Sequence, residues 1–200
     1  MEKERNNTLQ YYNDAATQFC ETTREVEFTD TQERFLKYLA AEARVLDFGC
    51  GSGRDTKYFI SRGFRTDAID GSEELVRLAS EYTGIEVKQM LFQELNAENV
   101  YDGIWACASV LHLNHDELTD IFCRIERALT SRGILYVSFK YGDGDLIRNG
   151  RYFTDMTEEK VKRFPVIDQL FDTEEMWKTV DARPGRAKEE WLNLILRKKN

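Results

Sequence analysis

The sequence predicts an α/β protein whose doubly wound, mostly parallel sheet has seven strands and closes with a C-terminal antiparallel hairpin. Short apolar segments alternate with amphipathic helices over residues 43–140, as in βα units around a parallel sheet. Two apolar segments near the C-terminus have no helix between them, so they should pair antiparallel. Because the 200 residues contain no linker rich in glycine and serine, we expect a single domain over residues 1–200.

Two βα units are expected to open the sheet. Residues 44–48 predict the first strand, and a helix over residues 56–61 and a strand over residues 64–69 follow it. Ser72 should cap the next helix, because a serine hydroxyl at this position accepts a free N–H of the first turn. Residues 85–90 predict the third strand.

The clearest helical pattern lies in the second half of the sheet. A fourth strand is predicted over residues 103–107, and Asp116 begins a helix that Gly133 should end. Residues 134–139 predict a strand that is buried on both faces. The helix carries one apolar stripe at helical spacing, formed by Leu118, Ile121, Phe122, Ile125 and Leu129.

The two ends of the chain differ from this core. Residues 1–40 predict a helical cap. Residues 141–165 are polar with interspersed glycines and aromatics, and so long a connection in a compact domain often forms a lid or substrate loop. The closing hairpin is expected within residues 170–200, with strands over residues 176–180 and 191–196.

Composition argues against several classes of protein. The formal net charge of −8 argues against a nucleic-acid partner, because phosphates are bound mainly by lysine and arginine. The apolar segments are far shorter than the ~20 residues of a membrane span, and the N-terminus lacks the apolar segment of a secretory signal. We therefore expect a cytoplasmic protein without membrane contact, either a monomer or a homodimer. The cysteine and histidine spacing predicts no metal site.

A glycine-rich segment between the first strand and its helix carries the main functional signal. Residues 47–53, which we call the glycine loop, contain Gly49, Gly51 and Gly53. Bare backbone can approach a ligand closely there, and the helix that follows presents free N–H groups to an anion. Asp70 closes the next strand 21 residues after Gly49, about the offset at which an acid reaches a ribose diol in doubly wound folds.

Two other nucleotide-binding patterns do not fit this loop. Arg54 stands where a dinucleotide fingerprint has a small residue that allows close packing of helix and strand. An NAD-linked oxidoreductase is therefore the least favoured alternative. No GK[ST] sequence follows the loop, which excludes a nucleoside-triphosphate P-loop.

Three segments resemble motifs of the class I S-adenosylmethionine-dependent methyltransferases. "LDFGCGSGRD" is similar to their first motif, "AIDGSEEL" to the second, and "YDGIWACASVLHL" to their fourth strand and the turn after it. The resemblance covers roughly residues 43–140, and the small size resembles the branch that includes tellurite-resistance and other small-molecule methyltransferases. It implies a Rossmann-like fold whose core, residues 43–140, binds S-adenosyl-L-methionine as cofactor.

The resemblance also implies roles for residues of the glycine loop and its surroundings. The loop backbone would wrap the methionine portion of the cofactor, Asp47 would orient the loop and the amino group, and Asp70 would hold both ribose hydroxyls. Tyr11 and Tyr12 resemble an aromatic cap over the site. The remaining implied cofactor contacts are Gly49, Cys50, Gly51 and Gly53 in the loop, Gly71, Ser72, Leu91 and Phe92 around the adenine, and Ala106 and Cys107 beside the ammonium.

One position departs from the family pattern. Many relatives have an acid near position 91 that accepts from the adenine amino group, whereas this chain has Leu91. Backbone, Gln93 or Glu94 would have to make that contact.

Catalysis by this class needs few dedicated groups. Displacement at a sulfonium methyl has a good leaving group, so the protein mainly orients the acceptor and excludes water. His112, Lys140 and Tyr141 are the candidate catalytic residues, and a general base is needed only for an acceptor that is protonated at neutral pH. The expected reaction is methyl transfer to a small-molecule acceptor.

Several alternatives stay open at the level of sequence. The chain could methylate RNA or protein, docking through its basic tail or through Lys160, Lys162 and Arg163. It could instead bind S-adenosylmethionine as a non-catalytic subunit. The tyrosine pair could pack as core, His112 could be a hydrogen-bonded loop residue, and Cys50 reads as a spacer.

Overall fold

The computed structural model describes residues 2–200, with side chains described from Arg5 onward. Its strands are β1 (Arg44–Phe48), β2 (Arg65–Asp70), β3 (Lys88–Gln89), β4 (Tyr101–Ala106), β5 (Leu129–Lys140), β6 (Asp145–Arg148), β7 (Arg151–Thr154), β8 (Phe171–Val180) and β9 (Glu190–Lys198). Its α-helices are α1 (Glu2–Asp14), α2 (Ala16–Thr23), α3 (Thr29–Leu36), α4 (Arg54–Ser61), α5 (Glu73–Thr83), α6 (His115–Ala128), α7 (Glu158–Lys162) and α8 (Pro165–Leu170). Short 3₁₀ helices lie at Phe92–Glu94 and Val110–His112.

The main sheet confirms the predicted fold class. Its seven strands lie in the order β3-β2-β1-β4-β5-β9-β8. The first five strands are parallel, and β9 joins β5 and β8 antiparallel. The strand order reverses between β1 and β4, so the carboxyl ends of these two strands flank the crevice where doubly wound sheets bind ligands.

The core packs helices against both faces of this sheet. On one face, α6 presents its predicted apolar stripe, and Leu118 and Ile125 are fully buried. On the other face, the Trp105 ring stacks on Tyr136 at a centroid distance of 3.9 Å. These central strands therefore form a rigid base for the loops at their carboxyl ends.

The end of α6 differs from the sequence prediction. The helix ends at Ala128, and Leu129 is already extended and pairs with Tyr101 of β4. The register then shifts before Ile134, so the residues between form an irregular segment of β5. Gly133 serves this irregularity and not the helix end, because a Cβ there would lie 3.0 Å from the Thr130 carbonyl oxygen.

The segment predicted as an irregular loop, residues 141–165, contains a β-hairpin. Strands β6 and β7 pair antiparallel across Asn149 and Gly150, whose φ angles are 50° and 77°. Positive φ at both central residues is the type I′ geometry that matches the twist of paired strands. Helix α7 completes the segment, and its Thr157 N-cap accepts from Lys160 N at 3.2 Å.

The N-terminal helices lie over the carboxyl edge of the sheet. Helix α1 packs against α5 and β7, and the side chain of Ser72 donates to Asn13 Oδ1 at 2.6 Å. Within the described residues, no helix combines the length and the apolar character that a membrane crossing requires.

Candidate active site

A cavity of about 440 Å³ lies at the carboxyl ends of the parallel strands. This volume falls in the range typical of small-molecule sites. Helices α1 and α2, the glycine loop and the β6–β7 hairpin contribute to its walls. The residues expected at the site that do line it are Tyr11, Tyr12, Gly49, Cys50, Gly51, Asp70, Gly71, Leu91, Phe92, Cys107, His112 and Lys140.

Five expected site residues lie outside the cavity wall. They are Asp47, Gly53, Ser72, Ala106 and Tyr141. Gly53 lets the start of α4 lie close to α5, because a Cβ at this position would lie 2.8 Å from Thr83 Cγ2. Ser72 caps α5 by accepting from Leu75 N at 3.2 Å.

The front of the glycine loop is bare backbone because its neighbours leave no room for side chains. Gly49 has φ +87°, and a Cβ there would lie 2.5 Å from Ser109 Cβ. Gly51 has φ +54°, and a Cβ there would lie 3.0 Å from the Phe19 ring. The amides of Gly49 and Cys50 both donate to the Ile69 carbonyl, at 3.0 and 2.9 Å, which ties the loop to β2.

Asp70 is held at the end of β2 by main-chain donors. Its Oδ2 accepts from Gly51 N and its Oδ1 from Ser72 N, both at 2.9 Å. Burial raises the pKa of Asp70, and backbone hydrogen bonds from Ser72, Gly51 and Gly71 oppose that rise. Each carboxylate oxygen has a further lone pair, so the group can accept from two adjacent hydroxyls.

Asp47 lies at the end of β1, where the glycine loop begins. It is fully buried, and its Oδ2 accepts from Thr56 Oγ1 at 2.5 Å. Burial first, and then the charge of Asp55, raise the pKa of Asp47. Its direct contacts therefore anchor α4 to β1.

The polar group that reaches the cavity beside the loop is the ion pair Arg54–Asp55, with Arg54 Nε 2.8 Å from Asp55 Oδ1. Asp55 also accepts from Gln32 Nε2 at 2.6 Å and Trp105 Nε1 at 2.9 Å. The sequence reasoning used Arg54 only to argue against dinucleotides. The sequence did contain a signal for this ion pair, because an arginine and an aspartate follow the third glycine directly.

The part of the cavity wall formed by Leu91, Phe92 and Gln93 is apolar with one free amide. Phe92 packs on Phe48 with ring centroids 4.6 Å apart, and Leu91 lies beside it in the wall. Glu94 Oε2 accepts from Leu91 N at 2.7 Å, so this carboxylate caps its own turn. Gln93 Nε2, in contrast, is buried without a hydrogen-bond partner in the described structure.

Across the cavity, Tyr12 and His112 form a hydrogen-bonded pair. His112 Nδ1 lies 2.8 Å from the Tyr152 carbonyl oxygen, which only accepts, so Nδ1 carries the proton. Burial lowers the pKa of His112 to about 4. The ring is therefore neutral at pH 7, and its Nε2 accepts from the Tyr12 hydroxyl at 2.9 Å.

Arg151 of β7 completes this group. Its Nη1 donates to the Tyr12 oxygen at 3.1 Å, and its guanidinium lies 4.0 Å from the Tyr11 ring centroid. Arg151 Nε is buried and has no hydrogen-bond partner in the described residues. We call Tyr12, His112 and Arg151 the acceptor-side cluster. The sequence reasoning missed Arg151, although the Asn149-Gly150 turn was a signal for the hairpin that positions it.

The two other candidate catalytic residues, Lys140 and Tyr141, form contacts outside the acceptor-side cluster. Lys140 pairs with Glu189, lies 3.8 Å from Asp181, and stacks 4.4 Å over the Trp191 ring. Tyr141 forms a bridge with Met156, and a hydrogen bond to Glu158 raises its pKa.

Comparison with known proteins agrees with this architecture. Residues 45–133 match the family model described as "Methyltransferase domain". An uncharacterized methyltransferase of Staphylococcus carnosus is 28% identical over 141 residues, which are 66% of this chain and 68% of that protein.

Solved structures share the fold. The 1,6-didemethyltoxoflavin-N1-methyltransferase of Burkholderia thailandensis has a TM-score of 0.79 at 21% identity, covering 98% of this chain and 89% of that one. TehB of Haemophilus influenzae has a TM-score of 0.71 at 18% identity, covering 90% of this chain and 66% of that one. NodS, an N-methyltransferase of Bradyrhizobium japonicum, has a TM-score of 0.72 at 15% identity, covering 94% and 98%.

The sheet, the glycine loop and the matched domain together define a methyltransferase. More specifically, residues 45–133 carry a methyltransferase domain and the fold is similar to that of S-adenosylmethionine-dependent methyltransferases, which indicates S-adenosylmethionine as the methyl donor. The predicted family, fold class, enzyme class and cofactor are confirmed.

Proposed function

We propose that this enzyme transfers the methyl group of S-adenosylmethionine to a small-molecule acceptor bound between the glycine loop and the acceptor-side cluster. The observation that carries this proposal is one cavity, about 440 Å³ in volume, that has Asp70 and the loop glycines on one side and Tyr12, His112 and Arg151 on the other. Donor and acceptor can therefore share one space.

The residues on the loop side fit the cofactor. Bare backbone at Gly49 and Gly51 allows close approach, and Asp70 can accept from the two ribose hydroxyls. Gln93 Nε2 is a free donor beside the apolar slot, which suits an adenine ring nitrogen. We propose Asp70 and Gln93 as the polar contacts of the adenosine portion.

The cofactor, when bound, supplies an electrophilic methyl group on a sulfonium. The chain's own task is to hold the acceptor in line and exclude water, which can contribute about 7–11 kcal/mol through orientation alone. His112 is a poor general base, because burial lowers its pKa to about 4, far below the operating pH. Its contacts instead fix the position of the Tyr12 hydroxyl.

A small acceptor follows from how the cavity is covered. Arg151 Nη1 and the Tyr12 oxygen, 3.1 Å apart, join the β6–β7 hairpin to α1 above the site. We propose that residues 1–40 act as the cap and residues 141–165 as the lid of a single domain. Such a covered pocket suits a free small molecule better than a side chain or base of a macromolecule.

The RNA or protein alternative depends on free cations for docking, and the described tail offers few. Arg183 pairs with Asp181 at 2.5 Å, and Lys198 Nζ lies 3.1 Å from Glu126 Oε1. Arg197 pairs with Glu174. Charges already paired within the chain add little affinity for phosphates.

The neighbouring enzymes support the same acceptor class. The Burkholderia structure contains 1,6-didemethyltoxoflavin together with S-adenosylhomocysteine, so this fold can hold a small heterocycle beside the cofactor product. A monomeric or homodimeric cytoplasmic enzyme is part of the proposal.

Calorimetry and turnover test the proposal. We expect the protein to bind S-adenosylmethionine and S-adenosylhomocysteine but not NAD, and Asp70→Ala to weaken both affinities. Asp67→Ala, in the same strand but half-exposed and paired with Arg44, is the matched control. A panel of small acceptors assayed by release of S-adenosylhomocysteine then measures activity. Silence across the panel, with cofactor binding intact, would favour the non-catalytic alternative.

A further inference from the structure

The acceptor side of the cavity holds a guanidinium with an unused edge. Nη1 of Arg151 is committed to the Tyr12 oxygen. Nε is buried without a partner, and Nη2 makes no hydrogen bond to the described residues. Nε and Nη2 lie on the same edge of a guanidinium, and their two parallel N–H groups match the two oxygens of a carboxylate.

The charge of Arg151 is also uncompensated, unlike that of most other cations in the wall. Arg54 pairs with Asp55 at 2.8 Å, Arg183 pairs with Asp181, and Lys140 pairs with Glu189. No carboxylate of the described residues lies within 4.0 Å of Arg151; it contacts aromatic rings instead, at 4.0 Å from the Tyr11 centroid and 5.2 Å from that of Phe153.

An unpaired cation in a partly buried, low-dielectric wall carries a desolvation cost that an incoming anion removes. The aromatic rings orient the guanidinium plane without supplying a counter-charge. The Tyr12 hydroxyl donates its proton to His112 Nε2, and its oxygen accepts a hydrogen bond from Arg151 Nη1. The cluster is therefore preorganised and leaves the Nε–Nη2 edge as its free donor.

We infer that the methyl acceptor is an anion whose carboxylate, or a chemically equivalent oxyanion group, is bound by the Nε and Nη2 groups of Arg151. This inference rests on the proposed function, since it assigns the acceptor half of the same cavity. The acceptor binds edge-on to the guanidinium and against the rings of Tyr11 and Phe153.

Arginine Nε–H resonances in ¹H–¹⁵N spectra test the inference directly. The protein is first saturated with S-adenosylhomocysteine, so that the cofactor side is filled. Sodium benzoate, benzamide and inorganic phosphate are then titrated in separate samples. The Arg151 resonance is assigned by its loss in Arg151→Gln. We expect benzoate to shift it saturably and benzamide, its uncharged isostere, to leave it in place.

Calorimetric titration of variants with benzoate measures the strength of the contact, because Arg151→Gln removes the resonance itself. We expect Arg151→Gln to weaken benzoate binding by about 10- to 100-fold, since a charge-assisted pair is lost. Arg151→Lys keeps the charge but loses the fork, and should recover only part of the affinity. Arg163→Gln, whose side chain is 82% exposed, controls for net charge and should leave binding unchanged.

Each other outcome has a definite meaning. If phosphate shifts the resonance and benzoate does not, the inference of an anionic acceptor is supported, and the group that Arg151 binds is a tetrahedral oxyanion and not a carboxylate. If neither anion shifts it, the inference is overturned. If S-adenosylhomocysteine alone shifts it, and Arg151→Gln weakens that affinity, then Arg151 binds the cofactor and the inference is overturned while the proposed function stands. Failure to bind S-adenosylhomocysteine at all would instead contradict the proposed function.

Discussion

The two sides of the cavity are assembled in different ways. The cofactor side consists of backbone from neighbouring segments, such as Gly51 N donating to Asp70 Oδ2 across 19 positions of sequence. On the acceptor side, Tyr12 reaches His112 across 100 positions and Arg151 across 139. The first arrangement is fixed within one βαβ unit, β1-α4-β2. The second forms only when the cap, the sheet and the hairpin meet. The first side can therefore suit many acceptors, whereas we propose that the second selects the acceptor.

The largest expected effect comes from adding one methyl group to the glycine loop on the cofactor side. Gly49→Ala adds a Cβ 2.5 Å from Ser109 Cβ at φ +87°. Left-handed strain and overpacking together should cost about 3 kcal/mol of unfolding free energy and abolish detectable S-adenosylhomocysteine binding. Urea unfolding and calorimetry measure the two quantities.

Gly63→Ala is the control for backbone strain. Gly63 has φ +86° and no atom within 4 Å of the added Cβ, so only the left-handed term remains. We expect a loss of about 1 kcal/mol with unchanged cofactor affinity. Equal losses in the two variants would show that the close approach at Gly49 does not matter.

The acceptor side should impose a pH dependence on stability. The folded pKa of His112, lowered by burial from 6.5 to about 4, means that below pH 6.5 the unfolded chain binds a proton that the folded chain does not. Stability should therefore fall as the pH decreases from 6.5 to about 4, by at most about 3 kcal/mol.

Subtracting the profile of His112→Gln from that of the wild-type protein isolates this contribution. His115→Gln, on the more exposed histidine 3.1 Å from Asp145, serves as the control. A wild-type profile that coincides with that of His112→Gln between pH 6.5 and 4 would mean that the imidazole is solvated and not part of a closed cluster.

A smaller effect is expected from Tyr12→Phe. It removes the hydroxyl that His112 Nε2 and Arg151 Nη1 share, at 2.9 and 3.1 Å. Acceptor turnover should fall about tenfold, because one hydrogen bond of about 1.4 kcal/mol no longer orients Arg151, while S-adenosylhomocysteine affinity stays within about twofold. Tyr11→Phe, which keeps the ring beneath Arg151, should change neither quantity. An equal loss of cofactor affinity in Tyr12→Phe would assign the residue to the other side.

The same contrast explains what the sequence could predict. The glycine loop and Asp70 lie within one βαβ unit, β1-α4-β2, so the spacing between the glycines and the acid predicts their arrangement. The succession of strands and helices along the chain follows from the apolar pattern, whereas the order of the strands within the sheet comes from the structure. The end of α6 was predicted five residues too late, because Gly133 looks like a helix end while the pairing of Leu129 with Tyr101 decides the boundary.

The acceptor side could be predicted only in part. His112 and Tyr12 were candidates because of their position after β4 and in the cap, but nothing in their spacing indicates that they touch. Arg151 is brought to them by a hairpin whose Asn-Gly turn is visible in the sequence. Its partnerless edge depends on which carboxylates pair with Arg183 and Lys140, and that pairing is set by the tertiary structure.

The smallest expected effect concerns Ser109, which lies between the cofactor side and the acceptor side of the cavity. Ser109 Oγ is buried without a hydrogen-bond partner in the described structure, and its Cβ is the atom that Gly49 faces. Because a buried unpaired hydroxyl is costly, Ser109→Ala should leave the free protein as stable, or more stable by up to about 1 kcal/mol. The hydroxyl then contributes a hydrogen bond only when a ligand is bound. Ser109→Ala should therefore lower the affinity for S-adenosylhomocysteine or for the acceptor, but not for both. Calorimetry with S-adenosylhomocysteine, followed by acceptor KM at saturating cofactor, distinguishes the two. A drop in stability without any change in affinity would show instead that the hydroxyl has a structural partner in solution and belongs to neither side.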